Sequence, residues 1–342
     1  MVILFNFVLR KRGNKMITVF YKNHIGTSKV LTPAELTNTP LCDLLWIDLS
    51  DPTPEEQKVT EEIASTVFLT RQKASEIETT SKYHETPDDI FININNYIDK
   101  GKIYETEPIS FIISKKGVLV SYHRMDLLAI VDMAQRMRLR PEENDTDYGV
   151  FMTVLEGIID YEADMEELLT REISRLSKVI TSSNNIDKAI LHRINELQEK
   201  TTALREDVYD MERVLSNVNR SKQFPQNSVP RISLMIKDAE SLINHGDVSF
   251  ARLDYLQDTA MGLINIQQNE IVKILSVAAV IFMPPTLIAS IYGMNFKLMP
   301  ELDWVWPLQN GWIIPAGYIF AIILMVAVTL LTYWFFRFKK WL

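Results

Sequence analysis

The sequence predicts an α+β cytoplasmic domain followed by a long helical hairpin and a stalk helix, with two C-terminal transmembrane helices. Three observations predict it. Short β-branched runs separated by turn signals fill residues 16–140. Apolar residues then recur every three or four positions for about 120 residues, the signature of long amphipathic helices. Finally, two stretches carry no charge at all: 19 residues from Ile274 to Tyr292, and 25 from Trp312 to Phe336. A bilayer core needs about 20 apolar residues as helix, and the longer run suits a tilted span.

The first residues, MVILFNFVLRKRGNK, do not read as a signal peptide, because their basic cluster follows the apolar stretch instead of preceding it. A cleaner strand pattern opens at Met16, so residues 1–15 are expected to be an extension outside the folded domain. Strands are expected at Ile17–Tyr21, Leu44–Leu49, Ile90–Ile98, Ile109–Ile113 and Val118–Tyr122. Thr53-Pro54-Glu55-Glu56 supplies an N-cap, a proline at the first helical position and a capping-box glutamate. That helix is expected to reach about Thr70, and another to cover Met125–Arg138.

The α/β domain, 16–140, gives way to a hairpin over 141–230. Val150, Val154, Ile158, Tyr161, Met165, Leu169, Ile173, Leu176 and Ile180 form one stripe; the polar residues 181–185 interrupt it; Ile186 to Val218 form a second. Two long helices joined by a short turn make an antiparallel pair. Pro225 and Pro230 close the hairpin. Over 231–292 no proline falls until Pro284, so the first span reads as the end of a helix of about 60 residues, roughly 90 Å at 1.5 Å per residue. A rod of that length cannot cover its own apolar stripe, which points to an oligomer. An outer loop over 293–311, a second span over 312–336 and a basic tail over 337–342 complete the division. Arg337, Lys339 and Lys340 follow the second span, which by the positive-inside rule places both termini in the cytoplasm of a multi-pass inner (plasma) membrane protein.

Composition narrows the function. The chain has 36 Lys and Arg against 44 Asp and Glu, a net charge of −8, and this argues against a nucleic-acid partner. Residues 141–270 alone carry 24 acids and 13 bases, so the acidity belongs to the helices. Within them, residues 141–170 hold ten acids and no Lys or Arg, either a solvated helix face or a surface that concentrates divalent cations. A lone Cys42 excludes a disulfide framework, and the five histidines are scattered without metal-binding spacing. There is no P-loop, dinucleotide fingerprint or nucleophile elbow, so neither a nucleotide partner nor an enzyme is expected.

One face of the first span carries Asn269, Val272, Leu275, Ala279, Met283, Thr286 and Ser290, spaced by three or four. Pro284-Pro285 would loosen the helix midway and free carbonyls, which lipid does not tolerate unless protein or water satisfies them. The line reads either as a pore wall built by several copies or as ordinary helix packing through small residues.

The residues just after the span carry a more specific signal. Tyr292-Gly293-Met294-Asn295-Phe296, then Met299-Pro300-Glu301-Leu302, then a second span ending in Lys339-Lys340-Trp341-Leu342, resembles the CorA-type magnesium channels. Asn269-Glu270, Phe282-Met283-Pro284 and Trp46-Ile47-Asp48 are further echoes. The resemblance implies a funnel-shaped homopentamer whose first spans line the pore at the seven positions above. It implies Mg²⁺ as both transported and regulatory ion, with Co²⁺ and Ni²⁺ also passing. It makes Gly293, Met294 and Asn295 the selectivity filter, with Asn295 forming an amide ring. Mg²⁺ sheds water reluctantly, so neutral amides can select it by hydrogen-bonding its hydration shell. Gly293 would let the chain leave helical geometry there. The resemblance also implies a cytoplasmic Mg²⁺ sensor between subunits, with Asp88 or Asp89 as one ligand. Counting back from Asn295 puts Leu234 at the partner position, which cannot ligate Mg²⁺; Asp238 stands one turn along. Asp258 matches a further acidic position near the membrane. Two alternatives stay open: a carrier of Zn²⁺ or another divalent cation in the same family, and a membrane-anchored helical scaffold or sensor without a pore.

Overall fold

The structure, a computed structural model, describes residues 16–66, 82–99, 104–125, 130, 132–182, 186–294, 300–301, 304–307 and 313–339. The expected extension over 1–15 lies outside them. The chain divides into two compact units, one holding most residues up to Gln257 and the other Asp258–Leu342.

In the first unit, seven strands form one sheet: β1 (Met16–Tyr21), β2 (His24–Leu31), β3 (Leu44–Ser50), β4 (Tyr83–Glu85), β5 (Asp89–Asp99), β6 (Tyr104–Ser114) and β7 (Val118–His123). Their order is β2-β1-β3-β7-β6-β5-β4. Among these strands only β3 and β7 pair in parallel, with Ile47 opposite Val120. β3 lies in mid-sheet and is apolar on both faces, which explains its unbroken LLWIDL run.

Period-two alternation sorts the side chains into two cores. On one face Ile17, Val19, Ile47, Leu49, Ile112, Val118 and Val120 pack with Leu36 and Ala64, from helices α1 (Pro33–Thr37) and α2 (Pro54–Ala64). On the other face Phe20, Ile90, Ile92, Phe111, Ile113 and Leu119 pack against four further helices. These are α3 (Met133–Leu139), α4 (Asp147–Ser182), α5 (Lys188–Arg220) and the first turns of α6 (Val229–Tyr292).

Thr53 caps α2 as expected: its hydroxyl accepts from the Glu56 N–H at 3.2 Å, and the Glu56 carboxylate accepts from the Thr53 N–H at 2.6 Å. Thr32-Pro33-Ala34-Glu35 repeats the device at α1. α2 stops at Ala64 instead of reaching Thr70. Ser65 adopts the left-handed conformation, φ 52°, and its N–H returns to Glu61, an ordinary C-terminal cap that the apolar spacing does not reveal. α3 begins at Met133, later than the expected Met125; residues 126–129 and 131 lie outside the description. Pro230 does not close the hairpin but sits in the first turn of α6, where a proline lacks nothing that the helix would use.

The Trp46-Ile47-Asp48 segment has a structural role. The Trp46 indole N–H donates to the Ser121 hydroxyl at 2.8 Å, which donates to Asp48 Oδ1 at 2.6 Å; His123 Nε2 lies 3.0 Å from the same oxygen. Trp46 also stacks on Phe20, centroids 4.5 Å apart. Ser121, Asp48 and His123 are all buried, and the carboxylate stands between the other two. The network satisfies polar groups inside the sheet and offers no nucleophile to solvent.

Gly26 joins the β1–β2 hairpin to α3. Its φ is +77°, and a Cβ there would lie 2.4 Å from Arg138 Cγ and 2.6 Å from the Ala134 carbonyl oxygen. We expect Gly26→Ala to cost about 1–3 kcal/mol through strain and clash together, read as a lowered Tm of the detergent-solubilised protein. An unchanged Tm would show that the hairpin is free to move off α3.

Candidate functional site

In the second unit α6 continues to Tyr292. β8 (Val305–Pro307) pairs antiparallel with β9 (Ile313–Pro315), and α7 (Ala316–Phe338) follows. The expected second span therefore starts later than its apolar run: Ile313, Ile314 and Pro315 are strand, because the Val305–Pro307 backbone pairs with them. The Gly317 N–H then donates to the Trp304 carbonyl, and Trp304 lies against Phe320. Both α6 and α7 contain a window long and apolar enough to cross a membrane.

α6 stays helical through Pro284-Pro285. Neither proline has an N–H to donate, so the carbonyls four residues before them, on Val280 and Ile281, receive no ordinary helical bond. The Thr286 hydroxyl donates to the neighbouring Phe282 carbonyl at 2.7 Å.

Asn269, Val272, Leu275, Ala279, Met283, Thr286 and Ser290 are all exposed in the single chain, Leu275 at 64% and Met283 at 67%. At 100° per residue they fall within about 120° of the helix circumference. The less exposed positions, Val277, Ala278, Ile281, Pro284, Pro285, Ile288 and Tyr292, lie on the opposite side. Thus the line of seven is uncovered by its own chain, as are Ile271, Ile274, Phe282 and Leu287 elsewhere on the span.

α6 ends at Tyr292, and the chain turns out of the helix at Gly293 and Met294. The Gly293 N–H still bonds the Ala289 carbonyl at 2.9 Å, and Met294 N–H reaches Ile291. A Cβ at position 293 would sit 3.1 Å from the Ala289 oxygen, so a tight approach is what the glycine relieves. Asn295, Phe296, Met299, Leu302 and Asp303 lie outside the described residues, as do Trp312 and the last three residues.

The four acids proposed for regulation are not gathered. Asp88 and Asp89 form a turn before β5. Thr86 accepts from the Asp89 N–H through its hydroxyl and donates to the Asp89 carbonyl through its own N–H, each at 2.9 Å. Asp88 is exposed and pairs with Lys115 at 3.4 Å. Asp238 and Asp258 are exposed on α6, as is Leu234. Among the described residues no three His, Cys, Asp or Glu side chains converge as a metal site.

The sequence reading missed a buried acidic pair on the helical hairpin. Glu162 on α4 and Asp207 on α5 are buried. Burial pushes the Glu162 carboxyl well above the usual range, and the Asp207 charge acts in the same sense. Asp207 is pushed up to about 7 by burial and by Asp210, with Lys82 opposing. The available signal was an acid at 162 beside stripe position 161.

An α+β domain joined by one unbroken helix to the first of two C-terminal apolar helices defines a two-span membrane protein. A family profile described as CorA-like Mg²⁺ transporter protein matches residues 43–340. The magnesium transport protein CorA of Pasteurella multocida (strain Pm70) is 31% identical over 312 residues, 90% of this chain and 95% of that protein. Its namesake in Escherichia coli (strain K12) is 30% identical over 305 residues, 89% and 93% of the two chains. The complete CorA structure from Methanocaldococcus jannaschii shares the fold with a TM-score of 0.74 at 19% identity, covering 97% of this chain and all of that one. The chain belongs to the CorA family of Mg²⁺ transporters.

Because the Asp88 and Asp89 side chains make no buried contact and the Lys115 pair is exposed, Asp88→Ala and Asp89→Ala should each change stability by less than about 1 kcal/mol in thermal unfolding. A large loss would mean that these side chains carry a structural role.

Proposed function

We propose that this protein conducts Mg²⁺ into the cell across the inner (plasma) membrane, as a homopentamer whose first spans line the pore. The observation that carries the reading is the uncovered line on α6. Seven residues at helical spacing, amide at one end and hydroxyls at the other, have no cover from their own chain in a family of Mg²⁺ transporters. Copies of α6 arranged about an axis would cover them. Further exposed apolar residues on the same helix, Leu234, Val248, Tyr255 and Ile266, recur at intervals that keep to one side and support association along its length.

On this reading residues 16–140, 141–230 and the start of 231–292 stand in the cytoplasm, 293–311 forms the outer loop, 312–336 spans again, and 337–342 returns inside. Asn295, next to Gly293 and Met294, supplies the ring of amide oxygens that holds the hydrated ion. A neutral ring binds the water shell firmly enough to select and weakly enough to release. Met283 and Leu275 are apolar constrictions that gate by dewetting. Co²⁺ and Ni²⁺, similar in charge and hydrated size, would pass the same filter. Cytoplasmic Mg²⁺ would act through Asp88 or Asp89 with Asp238 of a neighbour, and through a ring of Asp258.

Reconstituted in liposomes, the wild type should take up Mg²⁺, and Asn295→Ala should lower the rate about tenfold, the size of one lost charge-assisted hydrogen bond. Equal rates would remove Asn295 from the filter. Preference for Zn²⁺ over Mg²⁺ would reassign the ion, and absence of any flux would leave a helical scaffold without a pore. Native mass spectrometry of the same preparation should give five copies; a monomer would sink the shared pore.

A further inference from the structure

Inside the helical body, α4, α5 and the α6 segment before Gln257 enclose a cavity of about 10 Å³, room for the centre of roughly one water. Its polar lining is Glu162 and Glu166 from α4, Thr201 and Arg205 from α5, and Ser249 from α6, with Gly246 against the Arg205 stem at 3.6 Å. Three of these residues are incompletely satisfied. Both carboxyl oxygens of Glu162, the Thr201 hydroxyl and Arg205 Nε are buried with no hydrogen-bond partner among the described residues. Glu162 is wholly buried and Thr201 nearly so.

The remaining lining is already committed. Glu166 accepts from the hydroxyls of Thr170 at 2.9 Å and Ser249 at 3.2 Å. Arg205 donates through Nη1 to Asp247 on α6 at 2.7 Å and lies over the Phe250 ring. The ionisable groups facing the cavity are therefore Glu166, Arg205 with its partner Asp247, and Asp207 beside Glu162. Behind Asp207 stand Asp210, Glu206 and Lys82.

The cavity has room for a single water at most, and Glu162, Thr201 and Arg205, each with an unpaired buried polar atom, all belong to its lining. An ionised Glu162 would remain an uncompensated buried charge, which costs several kcal/mol in this setting.

We propose that the Glu162 cavity is a proton-operated latch in which neutral Glu162, buried without a partner where α4, α5 and α6 meet, keeps α6 seated on α4 and α5, and ionised Glu162 releases it. Burial and the Asp207 charge both favour the neutral acid. Linkage sets the sign. Glu162 and Asp207 hold protons more tightly folded than unfolded, so their contribution to stability is full below the ordinary carboxyl value of about 4. It is lost as pH rises, through about 7 for Asp207 and through a value raised well above the ordinary carboxyl range for Glu162. The latch bears on the helix that continues into the first span, but its test needs no ion flux and stands apart from the transport reading.

Hydrogen exchange on the full-length protein in detergent tests it, comparing amides 242–256 with those of β5 and β6 from about pH 6 to about pH 9, corrected for intrinsic rates. We expect protection at 242–256 to fall about tenfold or more with rising pH in the wild type, the equivalent of one pKa unit, while the sheet stays constant. Glu162→Gln, a permanent mimic of the neutral acid, should lose most of this fall and keep only the part that Asp207 contributes near pH 7. Asp207→Asn removes the charge that raises Glu162 and should move the midpoint to lower pH. A wild-type profile independent of pH, or Glu162→Gln losing protection as the wild type does, overturns the latch. If Glu162→Gln loses sheet protection and so is misfolded, Asp207→Asn decides: an unmoved midpoint overturns the proposal.

Discussion

The need to cover apolar surface that the chain itself leaves open is the constraint on which the rest of this molecule depends. Ile271, Val272, Ile274, Leu275, Phe282, Met283, Leu287 and Ile291 are all exposed on α6, as are Ile323, Leu330, Leu331 and Trp334 on α7. In water so much exposed apolar area would drive aggregation. In a bilayer most of it is solvated by lipid, and every backbone group of a helix is satisfied internally, except where Pro284 and Pro285 remove donors. The freed carbonyls need water or a neighbouring helix, and this joins the solvation of the backbone to the pore reading.

The first unit is built to hold α6 firmly at its start. The sheet uses both faces: α1 and α2 cover one, and α3 to α5 with the beginning of α6 cover the other. Ile232, Met235 and Ala239 anchor α6 in the second core. Arg231 adds a charged anchor beside them, pairing with Glu156 and donating to Thr153 at 2.8 Å. Such a part-buried, multiply bonded arginine holds geometry better than an exposed pair, because its donors have fixed directions.

Two buried polar arrangements in this unit behave in opposite ways. Around Trp46, Asp48, Ser121 and His123 the buried groups meet one another at hydrogen-bond distance, and the result is rigidity. Glu162, Thr201 and Arg205 line a common small space, and each keeps a buried polar atom without a hydrogen-bond partner among the described residues. A satisfied network resists change, whereas an unsatisfied acid in a low-dielectric setting exchanges its charge for a proton and is sensitive to pH. The first lies in the sheet and the second where α6 packs on the hairpin.

By itself the sequence determined the fold class, the two apolar spans, the capping of α2 and the family, because each rests on local pattern: period two, period 3.6, an uncharged run, Thr-Pro-Glu-Glu, Gly-Met-Asn. It also placed the line from Asn269 to Ser290 on one helix face, since spacing alone sets direction along a helix. Only the tertiary structure decided what depends on groups distant in the chain. Ser65 ends α2 through its backbone conformation, and Ile313–Pro315 becomes strand because Val305–Pro307 pairs with it. The seven residues on α6 are uncovered because no other described part of the chain packs over them. Glu162 stood among the acids of 141–170 that read as either a solvated helix face or a cation-concentrating surface, and nothing singled out Asp207. Whether an acid on a helix faces water or a neighbouring helix is set by packing across more than forty residues of separation, and that packing turned these two inward.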